Sequence, residues 1–524
     1  MVAGFKTRTS FIVRLRLLSA MFITATLFLV VRLYFVQIVH GADYAKDAAG
    51  QYVARTPDTD VRRSIFFSTK DHELIVAANM QSGWNIAIVP SQISNAELVY
   101  QQINAITPVD HTRFFASAEK KADPYEEVVN RLDDTKAQKI RALNINGVQL
   151  IATAWRFYPG GELGSQALGF VGFKDKTRVG MYGLERQYQN TLVESSSNLY
   201  VNPFAEIFAN MQSLVASDPA SHQGDLIISV EPNVQKQLEI TLDDVMKKYG
   251  PRLAGGIIMD PHTGRIIAIG ARPSFDPNAY NLVVDPSAYA NALVEGRYEL
   301  GSIMKPITMA AGIDAGAVTT ATTYNDTGCI TRSTAKICNF DQKARGVISM
   351  QEVLSYSLNV GASFIVDTMG HDTWTRYVRA YGLGDKTGID LPNEVTGDIS
   401  ILGEGNGPDI NYDTAGFGQG IAVSPIAMTR ALAALANGGV LPVPHVVTGV
   451  RYENGVTRTV DVPLGARVLK AESAQTVTEM LIKVFDKELL KGELKQEHYT
   501  IAAKTGTAQI PKPGGGYYPK GTSL

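Results

Sequence analysis

Gly255-Gly256-Ile257-Ile258-Met259-Asp260-Pro261-His262-Thr263-Gly264-Arg265-Ile266-Ile267-Ala268-Ile269-Gly270-Ala271 holds two apolar runs joined by the turn residues 261–264. Short apolar runs around such a turn predict an antiparallel hairpin. Just upstream, residues 226–230 read as a strand, and Val234, Leu238, Leu242 and Val245 fall at helical spacing within residues 231–249. Downstream the chain turns helix-rich, with apolar spacing over 304–315, 353–369 and 426–436, before a strand-like run at 499–503. Strands at both ends of a helical body predict a multidomain α/β (α+β) architecture whose sheet joins distant segments.

The remaining sequence fits more than one domain, as 524 residues exceed what a single core supports. Residues 43–220 are mixed in composition, with Val128, Val129, Leu132, Ile140 and Leu143 predicting a helix over 124–143. The polar segment 217–224 reads as a linker and 225–524 as the second domain. At the start, Lys6, Arg8, Arg14 and Arg16 precede an apolar stretch over 17–39, and no acidic residue appears before Asp43. Roughly 20 apolar residues cross a bilayer as a helix, and the basic flank stays cytoplasmic. The expectation is therefore a cytoplasmic tail at 1–16, one N-terminal transmembrane helix at 17–39 and an extracytoplasmic remainder. Arg32 sits near one end of the stretch, where a long side chain snorkels to the interface.

Composition removes other function classes. A net charge of -2 from 49 basic and 51 acidic residues gives no basic excess for nucleic acid. Eight His and two Cys, with no C-x-x-C or H-E-x-x-H spacing, argue against a metal, and no cofactor motif stands out. Cys329 and Cys338 flank a polar segment; they either bridge and pin a small hairpin or remain two buried thiols.

Nucleophilic chemistry is the better reading. S-x-x-K occurs at Ser117/Lys120, Ser302/Lys305 and Ser333/Lys336; S-x-N at Ser196/Asn198 and Ser357/Asn359; K-T-G at Lys386 and Lys504. Three residues apart on a helix, serine and lysine share a face, and a buried lysine serves as base for a hydroxyl that is otherwise a poor nucleophile. Ser302 fits best: Gly301 permits a tight entry, Pro306 suits a first helical turn, and an apolar helix follows. Ser117 lies in a charge cluster, and Ser333 lies in the polar segment between the cysteines. Ile501-Ala502-Ala503 leads into Lys504-Thr505-Gly506-Thr507 as a strand whose glycine admits a substrate backbone, whereas Lys386-Thr387-Gly388 sits in a loop. Ser357 and Asn359 offer a hydroxyl and an amide two residues apart, against a mere helix interruption. The three chosen elements follow one another in the second half of the chain.

At Tyr298-Glu299-Leu300-Gly301-Ser302-Ile303-Met304-Lys305-Pro306, Ser357-Leu358-Asn359-Val360-Gly361 and Lys504-Thr505-Gly506-Thr507-Ala508 the chain resembles class B penicillin-binding proteins. Asp260–Gly264, Thr387–Pro392 and Gly416–Gly420 resemble further landmarks of that transpeptidase domain; Tyr158–Gly160, Gly169–Gly172 and Gly183–Glu185 resemble its elongated non-catalytic pedestal. The resemblance implies a pedestal or dimerisation domain at 43–220 and, at 225–524, a transpeptidase domain with an antiparallel sheet flanked by helices. It implies a D,D-transpeptidase that cross-links peptidoglycan stem peptides and is trapped by β-lactams. Ser302 would be the nucleophile, Lys305 the base, Ser357 a proton relay, Asn359 an orienting amide and Lys504 an electrostatic support; Thr505, Gly506 and Thr507 would bind substrate. Met304 and Glu299 lean toward the division-type enzyme, which implies a SEDS-type glycan polymerase and other division membrane proteins as partners, at the inner membrane. Leu300 stands where the family usually has proline, and the chain ends soon after Lys504, where relatives continue with two more strands; the two readings are a C-terminally truncated domain and an unusual variant. A β-lactam-hydrolysing relative and a non-catalytic scaffold are the competing readings.

Overall fold

The computed structural model describes residues 5–34, 62–175, 177–193, 223–332, 335–403, 407–512 and 516–518. The expected span at 17–39 and the linker at 217–224 lie partly outside these residues; Ser196, Asn198 and Ser333 lie wholly outside. Helix α1 (Phe5–Tyr34) has its side chains described only from Leu17, apart from positions 18 and 33. Among the described residues no helix is long and apolar enough to cross a membrane. The chain divides into two compact units, residues 1–59 with 83–154 and residues 60–82 with 155–524.

β1 (Ile65–Ser68) pairs antiparallel with the start of β2 (Leu74–Ile88), setting Phe66 opposite Val76. In the smaller unit, Trp84 and Ile86 of β2 stand opposite Leu132 and Val129 of β3 (Glu126–Leu132). Around them lie α2 (Ala96–Asn104), α3 (His111–Glu119) and α4 (Asp134–Ala142), each opened by an Asn or Asp side chain that accepts from a first-turn amide. Ile86, Ile88, Ile103, Phe114, Val128, Leu132 and Ile140 form the core. The helix expected over 124–143 is thus half strand. The β-branched pair Val128-Val129 serves a ladder with β2, and Asp133 caps a helix that begins only afterwards.

In the larger unit a mixed sheet gathers distant segments: β1 runs parallel to β4 (Asp225–Ile228), which pairs antiparallel with Val447–Arg451. The parallel pairing brings in β1 from the 43–220 region; among the described strands within 225–524 every ladder is antiparallel, as expected there. α5 (Pro232–Tyr249) packs beneath the predicted hairpin, now β5 (Ala254–Met259) and β6 (Ile266–Arg272), with Ile257 opposite Ile269. Gln235 of α5 closes that contact, donating to the Ile269 carbonyl at 3.1 Å and accepting from its N–H at 2.9 Å.

The helical body surrounds α6 (Lys305–Asp314), which is buried on every face from Lys305 to Gly312. Ile307, Met309 and Ala310 join Val353, Ile365, Val366, Trp374 and Val477 in one cluster. A Cβ at Gly312 would stand 2.5 Å from Ile365, so glycine is what lets the two helices approach. Between them the chain forms β7 (Cys329–Arg332), β8 (Ala335–Cys338) and α7 (Met350–Ser355), and the helix that carries Ile365 is α8 (Asn359–Met369). The predicted strand at 499–503 is not one. A strand exists by its ladder, and among the described residues none runs beside this segment; Ala503 N–H reaches only the Leu481 carbonyl, at 3.4 Å.

Candidate active site

Ser302 lies on a short 3₁₀ turn, Gly301–Met304, that runs directly into α6. Backbone atoms crowd this turn. Gly301 has φ +61°, and a Cβ there would meet the Thr507 carbonyl oxygen at 2.4 Å; a Cβ at Gly418 would meet the Gly301 oxygen at 2.2 Å. Gly301 N–H donates to the Gly418 carbonyl at 3.0 Å, while Tyr298 and Val423 exchange a pair of backbone bonds. The serine turn is thereby clamped between two passing segments. Leu300, where proline is usual, adopts φ -89° and leaves the turn closed.

One turn on, Lys305 is 1% exposed. Its Nζ lies 3.0 Å from Ser302 Oγ, 3.2 Å from Ser357 Oγ, 2.8 Å from Asn359 Oδ1 and 2.5 Å from the Ser357 carbonyl. Burial, and then the nearby charge of Lys504, hold this amine well below the usual lysine range. A neutral amine has two hydrogens and one lone pair. With the Ser357 carbonyl and Asn359 Oδ1 taking the hydrogens, the lone pair is left for the Ser302 hydroxyl.

Ser357 occupies the break between α7 and α8 at φ +55°, a conformation rare for a residue with a Cβ. Lys504 Nζ donates to its Oγ at 2.8 Å and to the Thr505 carbonyl at 2.9 Å. Burial lowers the Lys504 amine to about 8. Asn359 is fixed from behind, its Nδ2 donating to the Cys338 carbonyl at 2.9 Å. Next to it, Asn339 Oδ1 accepts from Val360 N–H at 3.1 Å, and Asn339 Nδ2 donates to Asp326 at 2.9 Å. Cys329 and Cys338 form a disulfide across β7 and β8, which resolves the two alternatives left open above. Its physical role is local: the bridge holds the carbonyl that holds Asn359.

All eight candidate site residues converge. Ser302, Ser357, Asn359, Thr505 and Thr507 line one cavity of about 680 Å³. Lys305 and Lys504 sit behind its floor, and a Cβ at Gly506 would stand 2.8 Å from Ile303. The rejected alternatives lie elsewhere. Thr387 is tied into a loop by the Glu394 carboxylate, and both Ser117 and Lys120 donate to Glu126. Lys336 is different: dismissed above with Ser333 as part of a surface segment, it lines the cavity. The structure also adds Asn339, Phe340, Tyr356, Gln419 and Tyr517 to the walls. Tyr517 donates to Glu299 at 2.9 Å, and burial raises the Glu299 carboxyl. Only the Gly416–Gly420 stretch and Glu299 carried any sequence signal; the others come from segments with no chemical pattern.

Family comparison agrees with this geometry. Residues 254–524 match the penicillin-binding protein transpeptidase domain, and residues 70–206 match the penicillin-binding protein dimerisation domain. Stage V sporulation protein D of Bacillus subtilis (strain 168) is 29% identical over 514 residues, covering 96% of this chain and 77% of that protein. The peptidoglycan D,D-transpeptidase MrdA of Escherichia coli (strain K12) is 24% identical over 539 residues, covering 92% of this chain and 82% of its own. Among solved structures, penicillin-binding protein 2X from Streptococcus thermophilus superposes with a TM-score of 0.68 at 21% identity, over 88% of this chain and 73% of that one; at that identity the likeness speaks for the fold.

Proposed function

The chain belongs to the class B penicillin-binding proteins, serine-type D,D-transpeptidases of cell-wall synthesis, and on that premise we propose that Ser302 forms the acyl-enzyme by which it cross-links stem peptides. The observation that carries this is the buried, neutral-leaning Lys305 amine 3.0 Å from Ser302 Oγ.

The chemistry follows from the contacts. Lys305 takes the Ser302 proton as Oγ attacks the carbonyl of the penultimate D-Ala. Negative charge gathers on the carbonyl oxygen. The Ser302 N–H, at a turn start where amides lack an intrahelical partner, and the Thr507 N–H are the donors for it. As the C–N bond breaks, the departing D-Ala amine takes a proton through Lys305 and the Ser357 hydroxyl, which the Lys504 ammonium orients. Asn359 aligns the substrate amide, and Thr505, Gly506 and Thr507 receive the terminal carboxylate. A second stem peptide's amine then attacks the Ser302 ester, gives its proton to Lys305, and leaves Ser302 Oγ reprotonated. In a β-lactam the broken C–N bond belongs to a ring, so the leaving amine stays attached and the ester persists.

The septal assignment rests on Glu299 and Met304 and brings the SEDS-type polymerase with it. Anchoring in the inner membrane is supported by α1, whose Met21, Phe22, Ile23, Leu27, Phe28 and Leu29 are all more than half exposed behind a basic N-terminus. Resistance of the full chain to alkaline extraction from membranes is the measurement for the anchor. For the chemistry, a fluorescent penicillin is expected to label the protein covalently and Ser302→Ala to abolish the label; a mutant that still labels puts the nucleophile elsewhere.

A further inference from the structure

The cavity holding Ser302 has no carboxylate among its described lining residues, although lysines lie at two separate places around it. Lys305 and Lys504 lie at the serine. The other is Lys336 on β8, in the wall that the disulfide secures. Nearby acids are already engaged: Asp326 accepts from Asn339 at 2.9 Å, Asp341 pairs with Arg345 at 2.8 Å, and Asp413 pairs with Arg332 at 2.6 Å. Lys336 itself makes no ion pair among the described residues. Phe340 and Tyr356 line the same wall, and Phe340 is largely exposed. The catalytic scheme above uses the terminal carboxylate of the donor, places Thr505, Gly506 and Thr507 on it, and spends Lys504 on the Ser357 hydroxyl. It gives Lys336 nothing to do.

We infer that Lys336 forms a second anion subsite, which selects donor peptides carrying a free carboxylate upstream of the scissile bond over the same peptides carrying a carboxamide there. The inference rests on the assignment of Ser302 as nucleophile. A hydrated surface ammonium facing a mobile carboxylate gives only a modest attraction, screened beyond a Debye length of about 8 Å at physiological salt. Its signature is therefore a preference that fades with salt.

The test uses the full chain and two synthetic D-Ala-D-Ala thioester or depsipeptide donors, identical except for one upstream carboxylate or carboxamide. Acylation of Ser302 is followed by mass spectrometry as a second-order rate constant. Wild type is expected to favour the acid about fivefold at low salt, Lys336→Arg to keep that preference, Lys336→Gln to erase it and Lys336→Glu to reverse it. Penicillin lacks the upstream group, so its acylation should change in Lys336→Gln by far less than that of the acid donor. Equal rates for the two donors on wild type, or an intact preference in Lys336→Gln, overturns the subsite alone. Donors that acylate the Ser302→Ala variant equally well overturn the nucleophile assignment and the subsite with it.

Discussion

Lys504 Nζ and Ser357 Oγ stand 2.8 Å apart, and the same hydroxyl is 3.2 Å from Lys305 Nζ. One serine therefore separates two lysines that would otherwise face each other in a buried space. Both amines sit below the usual lysine range, and the proposed mechanism divides the work between them: the deeper one as a base, the shallower one as a charge kept through neutrality.

The pH profile of penicillin acylation should show that division. On the acid side the rate falls as Lys305 gains a proton and can no longer accept one. On the alkaline side it falls through about 8 as Lys504 discharges and releases Ser357. Lys504→Gln is expected to remove the alkaline limb. It should also move the acid limb upward, since Lys305 loses the like charge that depressed it. A stopped-flow acylation series across pH checks both shifts; an acid limb that stays in place would separate the two lysines electrically.

Ser357→Ala removes the shared hydroxyl while leaving the Ser357 carbonyl contact to Lys305. Loss of a proton relay costs roughly 10²–10⁴-fold, so acylation should fall within that range with the melting temperature little changed. An equal fall in stability and activity would mean the residue mainly supports the α7–α8 break.

Gly301→Ala puts a methyl group 2.4 Å from the Thr507 carbonyl oxygen on a backbone at φ +61°. Either the serine turn or the Thr507 segment must move. Displacement of about 1 Å costs on the order of 100-fold in rate, and acylation should drop at least that far. The fold, whose core is the cluster around α6 rather than the serine turn, should survive, as circular dichroism would report.

A purely structural prediction concerns Glu185, which is fully buried and paired with Arg62 at 2.5 Å and Arg156 at 2.7 Å. Burial pushes its carboxyl up, but the Arg156 and Arg62 guanidiniums outweigh this and hold it below the ordinary 4.5. A group whose folded value is depressed stabilises above its unfolded value and loses that contribution as pH falls. Stability should therefore decline with acidification below about 4.5, the ordinary value. Glu185→Gln leaves two buried guanidiniums uncompensated, at a cost of about 3–5 kcal/mol. Urea unfolding of the two proteins at neutral and acid pH measures both effects.

The local parts of this molecule were legible in its sequence; the long-range pairings were not. The 255–271 hairpin, the helix after Ser302 and the short motifs at Ser302, Ser357 and Lys504 are set by neighbours in the chain, so pattern reaches them. Glu126–Leu132 misled because a Val-Val pair among charged residues satisfies either period, and only β2 decides between them. Residues 499–503 misled in the opposite sense: apolar content made a strand plausible where, among the described residues, no partner strand runs. The support for Asn359 comes from a main-chain carbonyl, at Cys338. A carbonyl has no residue identity, so no motif could announce it. Lys336 was dismissed on its polar surroundings, because its place in the cavity wall depends on how the hairpin folds back toward Ser357.

On the proposed trapping of β-lactams at Ser302, the clamp of backbone on backbone around Gly301, Thr507 and Gly418 has a consequence for escape from them. Most pockets evade a drug by growing a bulkier side chain beside the reactive atom. Here the nearest neighbours of the serine turn are main-chain oxygens, and any added carbon displaces the machinery before it obstructs the drug. Tolerated resistance substitutions should therefore gather at a distance, along walls such as Tyr356, Phe340 and Gln419, where shape can change without disturbing the serine turn.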